Sequence, residues 1–459
     1  METPQVPHPQ DTREQEILER LTAIRDQLLL LKQDRTKYIR SKDVMALYDQ
    51  TIEEVRKVTE VRTVTNGHAE NRLDKVMESC FQLLSLFFMT IGRNGEAPAA
   101  YALTSTIKRL LDHLTEASLF SEKDLESMRK TLEQLSGSIS EADEAQSPYL
   151  IKLLAKRVEL CQSSLANLQK KLDRLDETLV AVHEKIISII RSMALANTKA
   201  KFNTTEVEKL KTQLKEIDAS RVNGQFVTDD GKVAKGSEET SELLERALAW
   251  SDIVLDRKGV IPEQWRRIYD VLIGIRNDLD KFSITPAWSL RETDLYDYQR
   301  QLDKIDEARV DGNWLDDEEK PAELYVQRTL LYLIRRSYGY IYHLMVLSEP
   351  VSEALLPVYN QLSTLKRCLL EVKNSGGVNS ARELYPYSLK LNSIDNMRVD
   401  GKFEINKDIP EGQAAVADLL AECFELNYEL RVEAETRAEQ QAATTGTAGA
   451  TGVQTGVEG

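Results

Sequence analysis

The sequence predicts an all-α protein of tandem three-helix repeat units stacked as an elongated helical array, with two separate helical bundles as the alternative. Three observations lead there. Charged residues make up 29% of the 459-residue chain and aromatics only 6%, a balance that suits long amphipathic helices better than a sandwich or barrel. Apolar residues recur at steps of three and four, as in Ile268, Leu272, Ile275 and Leu279. One phrase is written three times, as IDASRVNGQF from Ile217, IDEARVDGNW from Ile305 and IDNMRVDGKF from Ile394. Self-similarity of this kind marks a repeat architecture, in which each unit lends its neighbours an apolar face that it cannot bury alone.

The two later copies extend upstream into a shared skeleton, L-Y-x-Y-x-x-x-L-x-x-I-D-x-x-R-V-D-G-x-aromatic, beginning at Leu295 and Leu384. The first copy keeps the apolar ladder Val207, Leu214 and Ile217 without the tyrosines, and a fainter echo stands at Leu125, Leu132 and Leu135. Further upstream, Ile268–Arg276 aligns with Val358–Lys366 and with Ile17–Arg25, and a degenerate corner follows at Arg62–Gly67. A period of about 85 to 90 residues then divides the chain into five helical units. These are residues 13–95, 98–172, 173–256, 260–347 and 352–432, between a disordered N-terminus (1–12) and a disordered low-complexity tail (433–459). The polar, glycine-bearing segment Gly224–Gly236 is the expected break if the units form two bundles.

Within the fourth unit, stop and start signals place three helices. The first runs from near Pro262 to the Ser283–Pro286 loop, the second from about Arg291 to Arg309, and the third from Pro321 to just before Pro350. Leu324–Ile334 is apolar nearly all round, as expected of an inner helix covered on several sides. The thrice-written phrase reads as the corner after the second helix. Asp306 and Arg309 sit one turn apart, with the cation at the helix C-terminus where the dipole favours it. Gly312 is expected to take the left-handed conformation that closes a helix, with Asp311 bonding nearby amides and Trp314 folding back over Leu302 and Ile305. Arg221, Gly224 and Phe226 repeat these roles in the third unit, and Arg398, Gly401 and Phe403 in the fifth. Proline nine residues past the glycine (Pro321, Pro410) suits the start of a helix, and Ser237 is a candidate cap in the copy that lacks it.

A net charge of −15 repels nucleic-acid backbones and anionic lipid, and the one broken basic run, residues 34–42, reads as an exposed helix face. Neither nucleic-acid binding nor membrane insertion is expected. The apolar runs Leu83–Met89 and Leu330–Leu347 are too short or too charged to span a bilayer, and no signal peptide is expected at the N-terminus. Cys80, Cys161, Cys368 and Cys423 stand apart beside apolar neighbours and read as buried free thiols of a reducing compartment.

The five histidines are scattered, and no zinc spacing, phosphate-binding glycine loop or nucleophile elbow occurs. No cofactor and no enzymatic activity are expected. The acidic run Asp316–Glu319 is better explained by a following helix N-terminus than by a metal. One stretch rises above scaffold. Arg335, Arg336, Tyr338 and Tyr342 form a candidate ligand or partner patch, with Arg335, Tyr338 and Tyr342 on one helix face, where guanidinium forks match anionic oxygens. Tyrosines at a repeat interface are the plainer explanation.

The tandem pattern LYxYxxxLxxIDxxRVDGxW/F, with VYNQLSTLKRCLLEVKNSGG between its copies, resembles an uncharacterised fungal family with a duplicated all-helical domain of unknown function. The resemblance spans Glu16 to Arg431, is most specific from Val260 onward, and leaves the tail after Arg437 outside. It implies a protein of cytoplasm and nucleus and supplies no catalytic or ligand residues. The leading expectation is a non-enzymatic adaptor or scaffold that binds other proteins through helical repeat surfaces. The alternative is a small-molecule or phospho-ligand binder using the Tyr/Arg-rich helix face. Partner identity and oligomeric state are not legible in the sequence.

Overall fold

In a computed structural model, residues 6–64, 70–141, 147–228, 230–284 and 290–448 are described, with side chains at 63–64 and 441–448 excepted. They are almost entirely helical, so the chain is all-α. Helices occupy each segment in threes: α1 (Thr12–Gln33), α2 (Ser41–Val64) and α3 (Arg72–Thr90); α4 (Ala100–Ala117), α5 (Glu122–Ser140) and α6 (Pro148–Leu172); α7 (Glu177–Asn197), α8 (Thr204–Ala219) and α9 (Ser237–Arg257); α10 (Glu263–Ile284), α11 (Leu295–Glu307) and α12 (Leu324–Val346); α13 (Leu356–Asn374), α14 (Tyr385–Asp395) and α15 (Gln413–Ala448). The degenerate corner expected at residues 62–67 lies largely outside the described residues.

The chain folds as two compact bodies. The first comprises Met1–Gln33, Ala46–Phe88 and Gly95–Ser348, the second Asp34–Met45, Met89–Asn94 and Glu349–Gly459. The division at Ser348 replaces the break expected at Gly224–Gly236. That segment lies inside the first body, where Gly236 has φ +80° and a Cβ on it would come within 2.5 Å of the Leu175 side chain.

In the first body, amphipathic stripes make the core. Ile107, Leu110, Leu111 and Leu114 are buried along α4, and Leu150, Leu154, Val158, Cys161 and Leu165 along α6. As expected from its apolar circumference, α12 is enclosed, packing on α4, α7, α10 and α11. In the second body Leu391, Ile394 and Phe403 join Val416, Leu420, Cys423 and Leu430 in one cluster. There Gly92 (φ +83°) lies so close to the Val351–Ser352 backbone that a Cβ would sit 2.6 Å from the Ser352 nitrogen.

The repeated corner is a joint, but its geometry differs from a helix C-cap. Val310 and Asn313 exchange both backbone hydrogen bonds at 2.9 Å, enclosing Asp311 (φ 48°) and Gly312 (φ 79°). Two positive φ angles in a two-residue turn are the type I′ hairpin, which favours Asp-Gly and Asn-Gly. Asn223-Gly224 between Val222 and Gln225 repeats it, and so does Asp400-Gly401 between strands β1 (Arg398–Val399) and β2 (Lys402–Phe403). The Asp–Arg pair stands as expected: Arg309 Nε donates to Asp306 at 2.9 Å, and Arg221 and Arg398 pair with Asp218 and Asp395. Arg309 and Arg221 also reach the carbonyls of Gly312 and Gly224, at 3.0 and 3.3 Å, so one guanidinium ties helix end to turn.

The aromatics Phe226, Trp314 and Phe403 are all buried. Each is held by the next helix. The Gln327 side chain accepts from Trp314 N–H (3.1 Å) and donates to its carbonyl (3.0 Å), and Gln413 does the same for Phe403 at 2.9 and 2.8 Å. In the third copy Ser237 accepts from Phe226 N–H at 2.8 Å instead of capping α9, whose N-cap is Gly236. Pro321 and Pro410 do not begin helices; α12 and α15 start three residues later, and Pro321 bridges Leu315 in a second small turn.

Some described residues within the two terminal segments expected to be disordered, 1–12 and 433–459, have defined contacts or helical structure. The Pro7 carbonyl accepts from Arg72 N–H, and Pro9 is buried. α15 continues past residue 432 to Ala448, because an Ala/Glu/Arg/Gln run favours helix and is anchored by buried Ala434 and by Arg437, which donates to the Gly376 carbonyl at 2.6 Å. Among the cysteines, Cys80, Cys161 and Cys423 are buried and Cys368 is exposed, which corrects the expectation of four buried thiols. Among the described residues no helix is long and apolar enough to cross a membrane.

Candidate functional site

The candidate patch on α12 divides. Tyr338 is fully buried and donates to Asp303 at 2.6 Å, so it faces the core and not a ligand. Arg335, Arg336 and Tyr342 line a cavity of about 620 Å³ between α4, α5, α7 and α12, together with Arg191, Lys123 and Asp124. The Tyr342 hydroxyl bonds Thr131 (2.8 Å), and Arg336 lies over the Tyr340 ring at 4.4 Å. Gly339 opens onto the same space: a Cβ there would meet nothing within 4 Å.

A second cavity, of about 260 Å³, shares Arg191, Tyr332 and Arg335 with the first. Its walls join apolar side chains such as Ile190, Leu243, Ala247 and Leu331 to Trp250, Trp314 and the further arginines Arg246 and Arg328. Among the described residues Glu116 is its only lining carboxylate, and it is already bound to Arg309 at 2.6 Å. The corner residues Gly312 and Trp314 therefore line a cavity as well as turning the chain.

The arginines carry unequal shares of counter-charge. Arg191 binds Asp124 at 2.5 Å, and this pairing outweighs burial to hold the Asp124 carboxyl below the usual range. The guanidinium of Arg335 has no hydrogen bond or ion pair among the described residues. Desolvation, reinforced by repulsion from Arg191, pushes its guanidinium down to about 10, although Asp124, Tyr332 and Glu116 act the other way. Burial and then Arg246 lower Arg328, which rests over the Trp250 ring at 5.4 Å. Arg246 donates to the Ala117 carbonyl at 3.1 Å and has no carboxylate partner among the described residues. Desolvated cations normally come with partners, since an uncompensated one costs several kcal/mol.

Beneath the cavities a paired network fixes the walls. His113 Nε2 lies 3.0 Å from Asp306, Arg109 bridges Asp306 and Glu307 at 3.4 and 2.9 Å, and Arg309 stands 5.2 Å over the Trp314 ring. Burial would raise the Asp306 carboxyl, but His113, Arg309 and Arg109 bring it below its ordinary value. Burial prevails at Asp303, which is raised.

The acidic run at 316–319 serves its own turn: Asp316 Oδ1 accepts from the amides of Glu318 and Lys320, both at 2.9 Å. Among the described residues no three His, Cys, Asp or Glu side chains gather to hold a metal. Sequence reasoning missed Arg191, Arg246, Arg328 and Trp250. One signal was within reach, because Arg328, Tyr332 and Arg335 follow the four-then-three spacing of one helix face.

A family of proteins of unknown function, DUF2408, matches the chain twice, over residues 172–292 and 347–447. A Schizosaccharomyces pombe protein described as a CUB1 family protein is 37% identical over 428 residues, 91% of this chain and 93% of its own length. The Saccharomyces cerevisiae protein called Cu(2+) suppressing and bleomycin sensitive protein 1 is 35% identical over 505 residues, 92% of this chain and 91% of its own. No solved structure matches.

Proposed function

The chain belongs to the CUB1 family of fungal proteins and carries the DUF2408 domain in duplicate, and we propose that it is a non-catalytic binding protein for an anionic small molecule. Arg335 carries the reading. Its guanidinium is partly buried, has no hydrogen-bond or ion-pair partner among the described residues, and lies on the wall common to two cavities, beside a second arginine. An incoming anion supplies the missing counter-charge, and a planar fork held in low dielectric binds phosphate oxygens in pairs. The S. cerevisiae relative is named for Cu(2+), but the described residues here offer no donor cluster, so copper is not the ligand we propose.

The test is a thermal-shift titration of the full chain with pyrophosphate and inositol hexakisphosphate, since a ligand that binds only the native state raises the midpoint. The expected result is a rise in the unaltered chain that Arg335→Met abolishes and Gly339→Leu, which fills the larger cavity, diminishes. No rise with either anion, or equal rises in all three proteins, refutes the reading.

A second reading, the adaptor, draws on the second body. Tyr385 and Leu389 on α14, and Tyr428 and Val432 on α15, stand exposed at one-turn spacing, as residues that dock another protein do. Tyr385→Glu with Leu389→Glu is expected to remove specific partners from crosslinked extracts, and an unchanged partner list counts against it. We assign the protein to cytoplasm and nucleus, which imaging of a tagged chain checks.

A further inference from the structure

We infer that the anion is a nucleoside diphosphate, with its base in the smaller cavity and its phosphates at Arg191 and Arg335; this rests on the anion-binding reading above. The composition of the two cavities carries it.

The smaller cavity is a poor site for a bare polyanion. Ile190, Leu243, Ala247 and Leu331 give it an apolar wall, no lysine among the described residues lines it, and its indoles, Trp250 and Trp314, are both buried. A hydrated polyphosphate there would lose water against carbon and gain nothing in return. It is equally poor for a wholly apolar molecule, which would seal Arg246, Arg328 and Arg335 away from water without giving them a partner. A ligand that satisfies both conditions is planar and polarisable at one end and multiply anionic at the other.

The furnishing fits that description in detail. Trp250 packs against Tyr325, with ring centroids 5.9 Å apart, and carries Arg328 at 5.4 Å, so an indole and a guanidinium, groups that contact bases, stand together on the cavity wall. Arg191, Tyr332 and Arg335 lie on the wall that both cavities share, which is where a group joined to that ring emerges. Beyond them the larger cavity offers Lys123, Arg336 and the hydroxyls of Ser127, Ser188 and Ser192, suited to phosphate and ribose oxygens, beside the carboxylates of Glu184 and of Asp124, the latter already paired with Arg191. The smaller cavity alone falls just under the roughly 300–1,000 Å³ of ordinary ligand pockets, and the two together lie within that range.

The experiment is isothermal titration of the full chain with ADP, GDP and UDP, with pyrophosphate as the ring-free control of equal phosphate number and adenosine as the phosphate-free control. At least one nucleoside diphosphate is expected to bind at least tenfold more tightly than pyrophosphate, and adenosine weakly or not at all. Trp250→Leu is expected to weaken the nucleotide tenfold and leave pyrophosphate unchanged, while Arg335→Met weakens both. Should Trp250→Leu not fold, saturation-transfer NMR on the unaltered chain reads the same contact: base protons that take up saturation support the inference, and base protons that do not overturn it. Equal affinity for pyrophosphate and all three nucleotides sinks the nucleotide and leaves the anion site standing. Binding by none of them sinks both.

Discussion

Replacing Arg335 with methionine is expected to make the unliganded protein more stable, the reverse of what loss of a structural arginine does. Methionine keeps the length of the apolar stem and discards the charge. An uncompensated buried charge costs about 3–5 kcal/mol. Arg335 retains some accessible surface and feels Asp124 and Glu116 at a distance, so a gain of about 1–2 kcal/mol remains after allowing for that relief. Arg309→Met is the control. It breaks contacts of 2.7 Å to Asp306, 2.6 Å to Glu116 and 3.0 Å to the Gly312 carbonyl, leaves the Asp306 carboxylate buried, and is expected to cost about 2–4 kcal/mol. All four tryptophans fall between Gly95 and Ser348, so tryptophan fluorescence during urea unfolding reports the first body alone. If Arg335→Met lowers the midpoint as Arg309→Met does, Arg335 is an ordinary structural cation and the argument for a vacant counter-charge fails.

Three further outcomes follow from the geometry. Gly401→Ala meets no atom within 4 Å and should cost only the left-handed backbone, about 1–2 kcal/mol, whereas Gly412→Ala places a Cβ 2.7 Å from Val351 Cα and should cost clearly more; equal losses in denaturant titrations would contradict this. Asp306, held below the ordinary carboxylate value in the fold, adds stability above its unfolded pKa of about 3.9 that disappears as pH falls through the lower folded value, so Asp306→Asn should flatten the stability–pH curve below about pH 4. In native protein a thiol reagent should label Cys368 at once and leave Cys80, pushed by burial to about 12, and Cys161 and Cys423, to about 11, until the chain unfolds; mass spectrometry of the labelled peptides decides.

Helix type and the recurring joint were legible because both are local: the stripe through Leu272, Ile275 and Leu279 and the phrase around Gly312 are written in consecutive residues. The hairpin was also written there, since Asp-Gly and Asn-Gly between Val310 and Asn313 or Val222 and Gln225 are strong I′ signals; reading the glycine as a helix cap put the wrong backbone on the right corner. Tyr338 was misplaced because periodicity tells which residues share a face but not what faces them, and Asp303 is 35 residues away. The arginines of the cavities come from α7, α9 and α12, so their convergence is a tertiary fact that no window of sequence contains.

The glutamine and serine clamps on the corner aromatics bear on how such a protein changes length. The stretch from aromatic to clamp differs in each copy, from Trp314 to Gln327, Phe226 to Ser237 and Phe403 to Gln413, yet the aromatic is seated the same way. What lies between is spare ribbon, free to be lengthened, trimmed or fitted with a tag near residues 317–319 while the two helices keep their mutual grip.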